Sequence, residues 1–102
     1  MKRVLVQYKV KQDRSEENIK FIKNVFSELE EKSPKGLRYA SFHQPDKLSF
    51  IHIASIETND GTNPLSELPA FKEFQKEIKD RCEIPPQAVE LHEIGLYKFF
   101  ND

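Results

Sequence analysis

Apolar residues recur at every second position near the start of the chain. Val4, Val6, Tyr8 and Val10 alternate with Leu5, Gln7 and Lys9. This period and the β-branched content predict a strand over residues 3–10. The period then lengthens. Ile19, Ile22, Phe26 and Leu29 follow 3-4-3 spacing, which is one face of a helix, and Phe21 and Val25 widen that stripe. Asp13 or Ser15 is placed to cap this helix, with Glu16 three residues beyond Asp13 as in a capping box. Pro34 disfavours helical backbone before it and Gly36 accepts positive φ, so the helix ends between Lys32 and Gly36.

Two further strands are predicted, from about Leu37 to His43 and from about Leu48 to Glu57, joined by Gln44-Pro45-Asp46-Lys47. The turn formers from Thr58 to Asn63 make a loop, and Asn63-Pro64 begins a short helical turn. The second main helix starts near Leu68-Pro69, because proline suits a first turn and breaks an interior. Its apolar stripe is Leu68, Phe71, Phe74 and Ile78. Pro85-Pro86 is expected to separate it from a last strand over roughly Val89 to Lys98. No repeat, linker or low-complexity tract interrupts the pattern, so residues 1–102 form one domain. The order strand–helix–strand–strand–helix–strand predicts an α+β, ferredoxin-like βαββαβ antiparallel sheet with two helices on one face.

A hairpin turn centred on Pro45-Asp46 places Tyr39 opposite His52 and Leu37 opposite Ala54. One face of the hairpin then carries Leu37, Tyr39, Phe50, Ala54 and Ile56, and the other carries Ala40, Phe42, Ile51 and Ile53. Both faces are apolar, yet two helices cover only one. Leaving the other in water forfeits roughly 25 cal/mol per Å². The expected cover is a second copy of the chain, packed sheet on sheet as a homodimer.

Composition narrows the partners. The 16 basic and 17 acidic residues are interspersed, for a net charge of −1, so no overall field draws nucleic acid or anionic lipid. The basic residues Lys2, Arg3, Lys9 and Lys11 lack interleaved aromatics and read as a solvated strand edge. Base-stacking modules of this topology need aromatics around glycines in the third strand; Leu48-Ser49-Phe50-Ile51-His52-Ile53 has one aromatic and no glycine. No segment approaches the roughly 20 apolar residues of a membrane helix, and the N-terminus lacks a signal-peptide pattern. The expectation is a cytoplasmic protein that binds neither nucleic acid nor membrane. The single cysteine, Cys82, has no partner for a disulfide and reads as a structural residue.

Three glycines leave no phosphate-cradling loop, and no metal-binding spacing occurs, so neither a metal nor another cofactor is expected. Candidate chemistry rests on the histidines. His52, paired with Tyr39 on an apolar face, is placed to accept or relay a proton. His43 lies by the hairpin turn and is expected to be exposed. His92 falls in the last strand among Glu90 and Glu93, either in a site or on its rim. Gln7 and Tyr8 sit near the centre of the sheet, with Gln7 aimed either into a cavity or to the less buried face.

With these elements placed, the chain resembles the dimeric α/β-barrel superfamily, and within it small proteins related to antibiotic biosynthesis monooxygenases. The resemblance is carried by Glu16-Glu17-Asn18, Val25-Phe26-Ser27-Glu28-Leu29, Gly36-Leu37-Arg38-Tyr39-Ala40-Ser41-Phe42, Phe50-Ile51-His52-Ile53-Ala54 and Asn63-Pro64-Leu65-Ser66-Glu67-Leu68-Pro69-Ala70-Phe71. It implies the fold of a dimeric α/β barrel. For some members it implies oxidation of quinol-like aromatics without metal or flavin. The Asn–Trp–His set of the haem-degrading branch is missing, since there is no tryptophan and the first strand carries Gln7. The expected function is cofactor-independent oxygenation of a small aromatic or quinol-type substrate in an apolar pocket. His52 and Tyr39 would be catalytic there, with Gln7, Tyr8, Phe50 and His92 about the pocket. The alternative is a non-catalytic dimeric module that binds a small molecule or serves structurally.

Overall fold

The computed structural model describes residues 1–99. Four strands, β1 (Lys2–Val10), β2 (Leu37–His43), β3 (Ser49–Ile56) and β4 (Cys82–Leu91), form one antiparallel sheet in the order β2-β3-β1-β4. Helices α1 (Ser15–Lys32), α2 (Pro69–Gln75) and α3 (Ile78–Arg81) fill the two crossovers. This is the expected ferredoxin-like α+β arrangement.

Alternation along the strands sorts the residues onto two faces. Val10 of β1, Phe50 of β3, Val25 of α1 and Phe74 of α2 are buried together with Leu65 and Leu68, so the core lies between sheet and helices. On the other face the pairing aligns three rows from β4 to β2. They run Leu91–Arg3–Ser55–Arg38, Val89–Leu5–Ile53–Ala40 and Gln87–Gln7–Ile51–Phe42. The first row is polar: Arg3 donates to Ser55, Ser55 to Glu57, and Arg3 pairs with Glu93. The second row is wholly apolar, the third sets two glutamines beside Ile51 and Phe42, and Phe42 and Val89 remain over half exposed.

Local departures from expectation have identifiable causes. No side chain caps α1; a 3-10 turn at Gln12–Arg14 leads into it, and the Ser15 hydroxyl donates to the Lys47 carbonyl at 2.7 Å. The hairpin pairs Tyr39 with Ala54 and Ser41 with His52, two residues from the predicted register. The connection is longer because Asp46 accepts from both the Leu48 and Ser49 amides while Lys47 adopts positive φ. A slip of two keeps every side chain on its predicted face. Gly36 takes φ +79°, where a Cβ would lie 2.7 Å from the Thr58 methyl, so this turn admits no side chain.

The last strand begins at Cys82, well before the predicted start, and runs through Pro85-Pro86. Proline fits because β4 is an edge strand and the register shifts between Gln7 and Lys9, placing both prolines in a bulge. The second helix also stops early. Glu77 adopts φ +59°, and the Arg81 guanidinium donates to the freed carbonyls of Phe74 (2.6 Å) and Lys76 (3.3 Å). Among the described residues no helix is long and apolar enough to cross a membrane.

Candidate functional site

Between the sheet and α2–α3 lies a cavity of about 510 Å³, large enough for a small-molecule ligand. Its wall is largely apolar and aromatic, with Phe71 and Phe74 of α2 facing Val4, Val6, Tyr8, Tyr39 and His52 of the sheet. The three polar rings are brought together by the covered face of β1, β2 and β3. Tyr8 and Tyr39 stack on either side of His52, with ring centroids 5.4 and 5.9 Å from the imidazole, and Phe74 packs against it edge-on.

A continuous line of hydrogen bonds runs behind this wall, and its sense follows from the groups at one end. Arg81 can only donate, and its Nε gives to Asn18 Oδ1 at 3.3 Å. Asn18 Nδ2 therefore gives to Tyr8 Oη at 2.8 Å. Tyr8 sends its own proton to His52 Nε2, also at 2.8 Å. The imidazole must then carry its proton on Nδ1, which faces Ser41 Oγ at 2.6 Å and Tyr39 Oη at 3.1 Å. Asn18, His52 and Arg81 are all buried, and no buried side-chain nitrogen or oxygen among the described residues lacks a partner.

Burial sets the charge states. It lowers the His52 pKa to about 4, so the imidazole is neutral at physiological pH. It pushes Tyr8 well above the ordinary phenol value, with the hydrogen bond from Asn18 opposing part of the rise. Tyr39 is raised to about 12 by burial, tempered by a hydrogen bond with Ser41. The site is thus a chain of donors in series that starts at the Arg81 guanidinium and continues through neutral groups, with Tyr39 as the last hydroxyl on the cavity wall. Neutral His52, with both nitrogens engaged, is poorly prepared to act as a base.

The predicted site residues divide. His52, Tyr39 and Tyr8 meet at the cavity. Phe50 lies beside them, stacked on Tyr8 at 5.5 Å, but belongs to the buried core. Gln7 points to the opposite face of the sheet, in the row with Ile51 and Phe42, and does not line the cavity. His92 lies beyond the end of β4, exposed and outside the cavity, and His43 is exposed at the hairpin. Cys82 is buried, and burial raises its thiol pKa, as suits a structural residue. The described residues contain no cluster of three or more His, Cys, Asp or Glu side chains suited to a metal.

Asn18 and Arg81 were not anticipated. Asn18 did leave a signal: with Ile22, Val25 and Leu29 it follows the 4-3-4 spacing of the buried helical face. Arg81 left none, because a lone arginine in a charged segment reads as solvated surface.

No protein-family model matches the sequence, and no curated protein matches it. Solved structures do share its fold. A Nitrosomonas europaea protein provisionally named an antibiotic biosynthesis monooxygenase superposes with a TM-score of 0.73 at 15% identity, over 91% of this chain and 89% of that one. A Caulobacter crescentus protein of the same provisional name gives 0.73 at 14% identity, over 92% and 90%. A Mycobacterium tuberculosis protein gives 0.75 at 9% identity, over 93% and 96%. The fold is therefore that of the antibiotic biosynthesis monooxygenase-like proteins, as the sequence resemblance implied.

Proposed function

We propose that the cavity binds a small electron-rich aromatic, phenolic or quinol-like, and that the protein promotes its oxygenation by dioxygen without a cofactor. The observation that carries this reading is the directed chain from Arg81 through Asn18, Tyr8, His52 and Ser41, which leaves the Tyr39 proton available to the cavity. A donor held at that point stabilises a substrate oxygen as negative charge develops on it. The electron-rich anion then reduces dioxygen directly. One oxygen atom enters the ring, the other leaves as water, and the phenol supplies all four electrons as it becomes a quinone. Tyr39 is the group that would touch the reacting oxygen; His52 holds and polarises Tyr39 instead of taking the proton itself. The provisional names of the structural neighbours agree with this chemistry.

The test is oxygen uptake with 1-naphthol, which yields 1,4-naphthoquinone and water. Tyr39→Phe should lower turnover about 100-fold, the usual effect of deleting one oxyanion donor. Equal rates for the two proteins, or no uptake above the uncatalysed control, would remove the catalytic assignment. The full engagement of both His52 nitrogens favours a second reading, a ligand-binding module without turnover. Saturable naphthol binding without oxygen uptake would single it out.

The same proposal includes a second copy of the chain as partner, lying on the open face over Leu5, Ile51, Ile53, Phe42 and Val89. Among the described residues no helix packs over this apolar patch, and a two-fold axis would set it against its own counterpart. Light scattering should give twice the 12.0 kDa of one chain. A 12.0 kDa particle at micromolar concentration would exclude that partner.

A further inference from the structure

The residues around the cavity include a single formal charge at neutral pH. Lys79 lines it; the aromatic and aliphatic residues, Asn63, Ser66 and Gln75 are uncharged, and His52 is held neutral. The Lys79 side chain makes no hydrogen bond or ion pair among the described residues, although Glu77 and Asp80 lie beside it in the sequence. Its placement follows from the backbone. Left-handed Glu77 ends α2, and Arg81 clamps the freed carbonyls of Phe74 and Lys76. The resulting short α3 presents Ile78 and Lys79 together at the cavity.

Lys79 and Tyr39 stand towards opposite edges of the sheet. Tyr39 is on β2, one edge, whereas α3 leads into β4, the other edge, with β3 and β1 between them. Three strand spacings separate the two edges, about 14 Å between backbones; both side chains line the cavity between them, and the gap left suits two or three fused rings. Lys79 is exposed at the cavity rim, so its ammonium attracts a ligand anion there through a field that salt can screen.

We infer that Lys79 is a specificity-determining residue, selecting fused-ring aromatics that carry an anionic substituent, such as a carboxylate, at the end remote from the oxygen met by Tyr39. The inference rests on the cavity being the ligand site, as proposed above. A neutral aromatic satisfies the rings and Tyr39 but leaves the ammonium unused. A carboxylated one also forms an ion pair at the rim.

Three probes of one shape separate the possibilities: anthraquinone-2-carboxylate, 2-(hydroxymethyl)anthraquinone and 2-(aminomethyl)anthraquinone, titrated calorimetrically against the full chain. The carboxylate should bind about 10-fold more tightly than the alcohol, the amine should be weakest, and added salt should weaken the carboxylate alone. Lys79→Met should abolish the preference without changing alcohol binding, and Lys79→Arg should keep it. Lys79 is exposed, so both variants should unfold at the wild-type temperature. Carboxylate and alcohol affinities within twofold of each other, or equal losses for both in Lys79→Met, would overturn the role of Lys79 and leave the cavity reading intact. Absence of saturable binding by all three probes would overturn the cavity reading, and this inference with it.

Discussion

The two faces of this sheet invert the usual division between inside and outside. Under the helices, where apolar residues are expected, sit a histidine, an asparagine and an arginine, all nearly inaccessible to water. On the uncovered face, where polar residues are expected, Leu5, Ile51, Ile53, Phe42 and Val89 form a largely apolar field. The covered side tolerates its polar groups because each is matched: unpaired, a buried polar group costs about 1–3 kcal/mol. The open side has no such internal solution, since only another layer removes apolar area from water. A polarity misfit can thus be solved within one chain, but a hydrophobic misfit calls for a partner.

That contrast breaks most forcefully at Phe74, which packs against both Tyr8 and His52. Phe74→Ala should destabilise the fold by about 3–5 kcal/mol, as measured by urea unfolding; a loss below 1 kcal/mol would mean the covered side is not the true core. Acid sharpens the comparison next. His52 has a folded pKa of about 4, against about 6.5 unfolded, so the unfolded chain binds the proton first. Stability should therefore be unaffected by this group above pH 6.5, fall as pH drops from 6.5 towards 4, and level off below. The total change is on the order of 3 kcal/mol. His52→Gln should flatten that slope; an unchanged slope would assign it to other groups. Asp46, held at about 2 by hydrogen bonds from Ser49 and Leu48, acts in the same sense at lower pH: its stabilising charge is lost as pH falls from about 4 towards 2. The smallest effect on folding belongs to the open face. Phe42→Glu should alter monomer unfolding by less than about 0.5 kcal/mol, yet reduce the light-scattering mass to that of one chain.

The sequence made the faces legible and the joints less so. Alternation in Val4–Val10 and Phe50–Ile56 assigned the side chains to the correct sides, because a period of two survives a register slip of two. The slip itself came from Asp46, whose side chain organises a longer turn than Pro45 suggests. The start of β4 was hidden because Pro85-Pro86 normally announces a break, and only knowledge of edge position and bulge reverses that inference. Of the site, the meeting of Tyr39 with His52 was readable from the hairpin. Tyr8 and Asn18 join them across three elements, and Arg81 arrives from a turn that no local pattern predicts.

The paired prolines of β4 have a consequence for how the protein meets its surroundings. An edge strand ordinarily offers a row of amides to any passing extended chain, the route by which sheets lengthen into fibres. Pro85 and Pro86 have no amide hydrogen to offer, and the bulge that holds them distorts the rim as well. Sideways growth is discouraged at that rim while the flat of the sheet stays adhesive. If two flats stack as proposed above, the pairing closes on itself and gives a finite particle, not a filament.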